Sequence, residues 1–151
     1  MSHDVWKPNV TVAAVVERQG RFLLVEEHTS DGLRLNQPAG HLEEGETLLD
    51  ACVRETLEET AQHVRPAALI GVYTWKPPER DITYLRFCFA GEWLGAQDDL
   101  ALDDGIVRAL WMDAAEIEAS RDRHRSPLVW QCVLDWRAGR RFPLDMLCHY
   151  P

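Results

Sequence analysis

The sequence lacks any apolar run near the ~20 residues that a membrane-spanning helix needs. Its beginning also lacks a basic stretch followed by a long apolar segment, which is the pattern of a secretory signal. No Gly/Ser-rich linker or shift in composition divides the 151 residues, of which 46% are hydrophobic. We therefore expect a cytoplasmic protein with no membrane partner and with a single domain that spans residues 1–151.

Cysteine is scarce, and its spacing is uninformative. The four cysteines include no Cys-x-x-Cys pair, so the sequence indicates neither a zinc knuckle nor a redox dithiol. We expect reduced thiols that are buried or idle at all four positions, which are Cys52, Cys88, Cys132 and Cys148.

Positive charge is also scarce. The chain has 16 Lys and Arg against 25 Asp and Glu, which gives a formal net charge of −9. Nucleic-acid polymers and anionic membranes usually bind to a basic face, so we expect neither as a partner. A small polyphosphate would be repelled by an acidic pocket as well, unless metal ions lie between the ligand and the protein.

One acidic segment stands out against this background. Residues 40–59 read GHLEEGETLLDACVRETLEE, in which Glu55, Glu58 and Glu59 are related as i, i+3 and i+4. On a helix these side chains project from one side, and their carboxylates repel one another. No lysine lies among residues 48–61 to offset that charge. A divalent cation is the natural neutraliser, and a ligand set made only of oxygen favours Mg2+ or Mn2+.

The spacing of this segment resembles the box of the Nudix hydrolases, which reads Gly, five residues, Glu, seven residues, Arg-Glu, two residues, Glu-Glu. The chain supplies every anchor of that pattern: Gly40, Glu46, Arg54, Glu55, Glu58 and Glu59. The resemblance implies an α/β (α+β) fold, an α/β/α sandwich with a central mixed sheet. It implies an enzyme in which water attacks a phosphorus of a phosphoanhydride. It also implies Mg2+ bound by Glu55, Glu58, Glu59 and the backbone carbonyl of Ala39.

Other residues near the box have expected roles as well. Helix geometry sets Arg54 about 100° back from Glu55, where its guanidinium could pair with Glu46 and orient the ligands. Glu55 is our first choice of general base, although Nudix enzymes differ in which glutamate takes the proton. His41 could contact a phosphate, or it could have a purely structural role. A further acid often reaches such sites from a later loop, and we favour Asp103, with a solvated loop as an equal alternative, among four candidates: Asp98, Asp99, Asp103 and Asp104.

Two positions depart from the family pattern beyond the acidic pair. The family usually has a glycine and then an aliphatic residue, where this chain has Ala61 and Gln62. Because alanine disfavours the left-handed turn that glycine supplies, we expect the helix to run longer, or to end differently, before Pro66. The acids are expected to face outward, and the opposite apolar stripe to pack inward: Leu49, Val53, Thr56 and Leu57.

The remaining chain predicts a mixed sheet with late helices. Residues 10–16 and 21–26 predict a hairpin, residues 28–36 a loop around Asp31-Gly32, and residues 37–42 an extended entry to the box. Thr47 and Asp50 have capping-box spacing at the start of the helix. The later elements are expected in this order: strands over residues 67–75, 83–93 and 106–112, a short helix over residues 113–120, and a helix over residues 127–138.

Four further segments resemble the NudJ-type phosphatases within the Nudix family: residues 36–43, 84–87, 125–129 and 142–146. This resemblance implies hydrolysis of nucleoside tri- and diphosphates and of the diphosphate of the thiamine pyrimidine precursor. It also implies release of orthophosphate as well as, or instead of, pyrophosphate.

The residue types around these segments predict the substrate contacts. Trp75 and Tyr84 could stack a flat base at the ends of adjoining strands, and Arg86 could meet a phosphate or a ring edge. Asn36 and Gln37 could hydrogen-bond a heterocycle. Packing and loop bracing are the alternative roles of these five side chains.

Three rival functions compete with this interpretation. A proline a short distance beyond the box is associated with ADP-ribose-type pyrophosphatases, and Pro78 stands there. A Nudix domain that only senses a nucleotide would usually have lost box acids, which this chain keeps. An isopentenyl diphosphate isomerase would need an active-site cysteine and a larger chain. We expect a small-molecule nucleotide or heterocycle diphosphate as the partner, and the sequence leaves open a monomer or a homodimer.

Overall fold

One mixed sheet of seven strands organises residues 4–151, which the computed structural model describes. In chain order the strands are β1 (Asn9–Arg18), β2 (Arg21–Thr29), β3 (Gly32–Asn36), β4 (Ala39–His41), β5 (Gln62–Trp75), β6 (Tyr84–Ala96) and β7 (Ile106–Asp113). The helices are α1 (Leu48–Thr60), α2 (Ala114–Ala119) and α3 (Leu128–Arg137), with 3-10 turns at Arg121–Arg123 and Leu144–Met146.

Strand β1 is the centre of the sheet. It pairs in parallel with β6, whereas its pairings with β2 and β4 are antiparallel. The strand order is β3-β2-β1-β6-β5, with β7 paired to β2 and β4 paired to β1. The expected central mixed sheet is therefore confirmed.

The two faces of β1 are both buried, which accounts for its continuous apolar run. Because side chains alternate along a strand, Ala13 and Val15 face a core that also contains residues of α2 and α3. Val12, Ala14 and Val16 face the opposite core, which contains residues of α1. Helices thus cover both faces of the sheet, and the expected α/β/α sandwich is confirmed.

The segment over residues 28–36 is a hairpin and not the loop that the sequence predicted. Strand β2 continues to Thr29, and β3 starts at Gly32, which has a φ of 95°. The Thr29 hydroxyl donates to the Gly32 carbonyl at 2.7 Å and accepts from the Asp31 amide at 3.1 Å. Ser30 and Asp31 therefore form a tight turn, with paired strands on both sides.

The box helix begins as predicted but ends differently. The Thr47 side chain accepts a hydrogen bond from the Asp50 amide at 3.0 Å, which caps the start of α1. Both alternatives expected for its end are wrong, because α1 does not run beyond Thr60 and Ala61 adopts the left-handed conformation that glycine usually supplies, with a φ of 59°. The Ala61 amide donates to the Leu57 carbonyl at 2.8 Å. Strand β5 then starts at once, at Gln62 and not at residue 67.

The other predictions of helices and thiols agree with the structure. Helices α2 and α3 lie where the sequence placed them, and the Asp113 side chain caps α2. All the cysteines are free thiols, and Cys148 alone among them is exposed. Within residues 4–151, every helix is too short or too polar to cross a lipid bilayer.

Candidate metal centre and substrate pocket

Three acidic side chains converge at the end of α1. Carboxylate oxygens of Glu55, Glu58 and Asp103 all lie within 4.8 Å of one another. Asp103 belongs to the connection between β6 and β7, and its amide donates to the Glu58 carbonyl at 3.0 Å. The structure thus brings together the favoured loop acid and two of the three box glutamates. These oxygens could hold a divalent cation.

Glu59 lies apart from this group, on the inner side of the helix. It is 8% exposed, and it accepts a hydrogen bond from the Ala39 amide at 2.8 Å. The expectation that all the acids face outward is therefore wrong for Glu59. Burial raises its pKa to about 8, and the charges of Glu27, Glu55 and Asp103 add to the rise. Metal coordination by Glu59 and by the carbonyl of Ala39 stays a prediction.

Arg54 organises the carboxylates around it. Its guanidinium donates to both carboxylate oxygens of Glu46, at 2.7 and 3.0 Å, which is the ion pair that the spacing predicted. It also donates to Glu55 at 2.8 Å and to Glu58 at 3.2 Å. The hydrogen bonds from Arg54 lower the pKa of Glu46, whereas burial raises the pKa of Glu55. One arginine therefore ties the loop before α1 to two acids of the converging group.

Gly40 leaves the space that Glu55 occupies. A Cβ atom at this position would lie 2.1 Å from the Glu55 carboxyl carbon and 2.3 Å from each of its oxygens. The residue belongs to β4 and does not have a positive φ. What the box requires at Gly40 is therefore the absence of a side chain, because the carboxylate packs directly on the backbone.

A pocket of about 680 Å³ opens beside these acids. Glu55 and Glu59 line one side of it, and so does exposed His41. Trp75 and Tyr84 also line it, and their rings are stacked with centroids 6.0 Å apart and planes at 18°. Its cationic lining offers charge to a phosphate in an otherwise acidic protein and comes from four arginines: Arg34, Arg80, Arg86 and Arg125.

Arg86 is fixed at this pocket by a buried network. Arg86 is 6% exposed, and its guanidinium donates to the side-chain oxygens of Asn36 and Gln37, both at 2.9 Å. The Gln37 amide in turn donates to the Val129 carbonyl at 2.7 Å. Asn36 and Arg86 line the pocket, whereas Gln37 is 1% exposed and lies behind Arg86. Substrate contact through Gln37 stays a prediction, and in this structure its amide orients Arg86.

Sequence reasoning missed one ion pair of the pocket. Glu27 is 9% exposed near the end of β2, and it accepts a hydrogen bond from Arg125 at 2.6 Å. Both residues line the pocket, and Glu27 lies close enough to Glu59 to raise the pKa of that carboxyl. The one signal in the sequence was an acidic pair, Glu26-Glu27, that continues a strongly apolar strand.

Comparisons with known proteins agree with this architecture. The model of the NUDIX domain matches residues 6–131. Phosphatase NudJ of Escherichia coli (strain K12) is 40% identical over 143 residues, which cover 95% of this chain and 92% of that protein. A NUDIX hydrolase from Nitrosomonas europaea is 51% identical, with a TM-score of 0.93 over 95% of this chain and 98% of that chain.

A more distant structure shares the fold alone. An ADP-ribose pyrophosphatase from Streptococcus suis has a TM-score of 0.66 and 14% identity, and the match covers 91% of this chain and 97% of that chain.

Proposed function

This chain belongs to the NUDIX family and is a NUDIX hydrolase, and we propose that its substrates are nucleoside di- and triphosphates and related heterocycle diphosphates. The diphosphate of the thiamine pyrimidine precursor is one such compound. The observation that carries the proposal is the convergence of Glu55, Glu58 and Asp103 beside a pocket with stacked aromatic rings and several arginines. The likeness to Phosphatase NudJ supports the release of phosphate.

We propose Mg2+ as the cofactor, with Mn2+ as a substitute. The converging ligands are all carboxylate oxygens, which these hard cations prefer. Glu55, Glu58 and Asp103 would hold the ion, and Glu59 and the Ala39 carbonyl are the further candidates. When bound, the ion would withdraw charge from phosphate oxygens and lower the pKa of a bound water.

The protein side chains supply proton transfer and orientation. Glu55 is our choice of general base, because it lies in the converging group and because Arg54 holds its carboxylate at 2.8 Å. Glu59 is the second candidate, because it lines the same pocket as Glu55. Arg86 would bind a phosphate from a position that Asn36 and Gln37 fix.

The aromatic pair would bind the heterocycle. Trp75 and Tyr84 line the same pocket as the acids, so a base that contacts them would place its phosphates near Glu55. Stacking is tolerant of the identity of the base, which agrees with activity on several nucleotides.

A substrate screen tests the proposal. Nucleoside di- and triphosphates, dinucleotides and thiamine-pathway diphosphates would be incubated with Mg2+, and both orthophosphate and pyrophosphate would be measured. We expect turnover that Glu58→Gln abolishes and that Glu44→Gln, a change at an exposed glutamate of the same segment, leaves unchanged. Unchanged turnover by Glu58→Gln would remove the proposed mechanism. Nucleotide binding without turnover by the wild type would favour a sensor domain.

Hydrolysis of ADP-ribose remains the rival function within the family, because Pro78 is present in the loop between β5 and β6. In the structure Pro77 lines the pocket and Pro78 is exposed outside that lining. The same screen separates the two functions. Cleavage of ADP-ribose to AMP and ribose phosphate supports the rival, whereas orthophosphate from a nucleoside diphosphate supports our proposal.

A further inference from the structure

A second groove, of about 470 Å³, opens beside the substrate pocket. The indoles of Trp75 and Trp130 both line it, and we call it the aromatic groove. Trp75, Arg125 and Ser126 line the substrate pocket as well. The aromatic groove is therefore a lateral extension of the pocket and not a separate cavity.

The walls of the aromatic groove are held in place by the protein itself. Trp75 ends β5, and the stacked ring of Tyr84 supports it. Trp130 lies in the first turn of α3 and packs against the core between that helix and the sheet. The amide of Arg125 donates to the Leu35 carbonyl at 2.8 Å, which fastens the segment before α3 to β3. A ligand would meet two indoles already in position, which reduces the entropy cost of binding.

The charge of the aromatic groove is opposite to that of the protein. Arg121 and Arg125 line it, and among residues 4–151 no aspartate or glutamate does, although the chain has a net charge of −9. The Arg125 guanidinium is anchored by Glu27 at 2.6 Å, at the point where groove and pocket meet. Aromatic walls with a cation at this junction suit a flat ring that is linked to an anionic group.

We propose that the aromatic groove is the subsite for the substrate's heterocycle, which lies between Trp75 and Trp130 while Arg125 contacts the phosphate next to it. This inference rests on the proposed function and names the residues that would recognise the organic part of the substrate. Tyr84, whose ring is stacked on Trp75, belongs to the same aromatic wall, and Trp130 supplies the second aromatic surface. Because stacking depends on the flat ring and little on its substituents, the groove would accept nucleobases and other heterocycles.

Kinetics with and without a heterocycle test this subsite. A nucleoside diphosphate and inorganic tripolyphosphate would be hydrolysed with Mg2+ by the wild type and by Trp130→Leu. We expect the variant to raise the KM of the nucleotide about tenfold, since stacking on one aromatic side chain has an effect of this size. The kcat for the nucleotide and both constants for tripolyphosphate should stay within about twofold of the wild type.

Two further variants provide matched controls. Trp130→Phe keeps an aromatic surface and should restore most of the nucleotide KM. Trp93→Leu removes another half-buried indole, one that packs in the core on the opposite face of the sheet. It should lower stability without changing the KM of either substrate.

A measurement on the unmodified protein covers the case in which Trp130→Leu fails to fold. An uncharged nucleoside would be titrated into the metal-free wild type while the indole N–H resonances are followed by NMR. The resonances of Trp75 and Trp130 should shift and that of Trp93 should not. This binding test does not depend on turnover, so it still decides the subsite if the wild type cleaves no nucleotide and the proposed function fails.

Several results would overturn the subsite. Equal losses for the nucleotide and tripolyphosphate would assign Trp130 to general stability, and no change for either would exclude a contact with the substrate. An unshifted Trp130 resonance would have the same meaning. If Trp130→Leu instead dissociates a dimer in sedimentation experiments and nucleoside binding is unchanged, the groove holds a second copy of the chain.

Discussion

Replacing Gly40 by alanine should disable the site and leave the fold intact. The new Cβ would lie 2.1 Å from the Glu55 carboxyl carbon, whereas ordinary contacts start near 3.4 Å, so the carboxyl has to move by at least about 1.3 Å. The clashing atoms form the end of a flexible side chain, so the displacement requires rotation of Glu55 and not movement of the backbone. A misplacement of about 1 Å can cost ~100-fold in rate, and we expect kcat/KM to fall by roughly that factor.

The assay measures activity and stability together. Hydrolysis of the best nucleotide substrate gives kcat/KM, and urea unfolding gives the free energy of unfolding, which should change by no more than about 1 kcal/mol. Gly91→Ala is the matched control, because it also adds a methyl group to a strand glycine, with its nearest contact 3.1 Å away at Val16. It should keep full activity.

Wild-type activity in a folded Gly40→Ala variant would refute the reasoning. It would mean that the position of the Glu55 carboxylate does not matter to the reaction, or that the close approach to Gly40 is not present in the working enzyme. Loss of activity together with global unfolding would mean that the backbone, and not the carboxylate, gives way to the new methyl group.

Three other perturbations test other parts of the site. The metal-free protein should lose stability as pH rises from about 5 to 8, because Glu59 has a pKa of about 8 in the fold against 4.5 when unfolded. The stabilisation by protonated Glu59 is complete below pH 4.5, and its upper limit is about 5 kcal/mol. Glu59→Gln should remove this dependence on pH from the free energy of unfolding in urea. Asp103→Asn should raise the Mg2+ concentration for half-maximal activity at least about tenfold, while Asp104→Asn should not change it; equal curves would exclude Asp103 as a ligand. Arg54→Lys should lower kcat/KM about tenfold or more, because one ammonium group cannot replace a guanidinium that contacts Glu46, Glu55 and Glu58. Arg65→Lys, at an exposed ion pair, should have no effect.

The parts of the site that follow from local spacing could be predicted from the sequence. Glu55 and Glu58 share a helix face, and the pairing of Arg54 with Glu46 follows from the phase of the same helix. Strand β1 was recognisable because a run of apolar β-branched residues suits a strand that is buried on both faces. These predictions hold because they depend on the residue types and the spacing within short, continuous stretches of the chain.

What could not be predicted depends on contacts between distant segments. The direction of Glu59 is set by the Ala39 amide across a loop, and Gln37 is buried because Val129 and Arg86 occupy its amide group. The pairing of Glu27 with Arg125 joins β2 to the segment before α3, and no local sequence pattern predicts this pairing.

The prediction of where and how α1 ends was wrong for a different reason. Alanine in the left-handed conformation costs about 1 kcal/mol, and local propensity therefore argued against it. The hydrogen bond from the Gln97 amide to the Ala61 carbonyl, at 2.8 Å, and the immediate start of β5 hold the chain in that turn. Tertiary structure here overrides the preference of a single residue.

The amide hydrogen bond from Asp103 to the carbonyl of Glu58 makes assembly of the acidic centre a cooperative event. If the last turn of α1 frays, the loop that carries Asp103 loses its attachment at the same moment as Glu58 loses its helical position. Glu58 and Asp103 would therefore leave and return together, whereas Glu55, which lies earlier in the helix and is held by Arg54, would stay in place. The centre would thus lose two of its three converging acids in a single step.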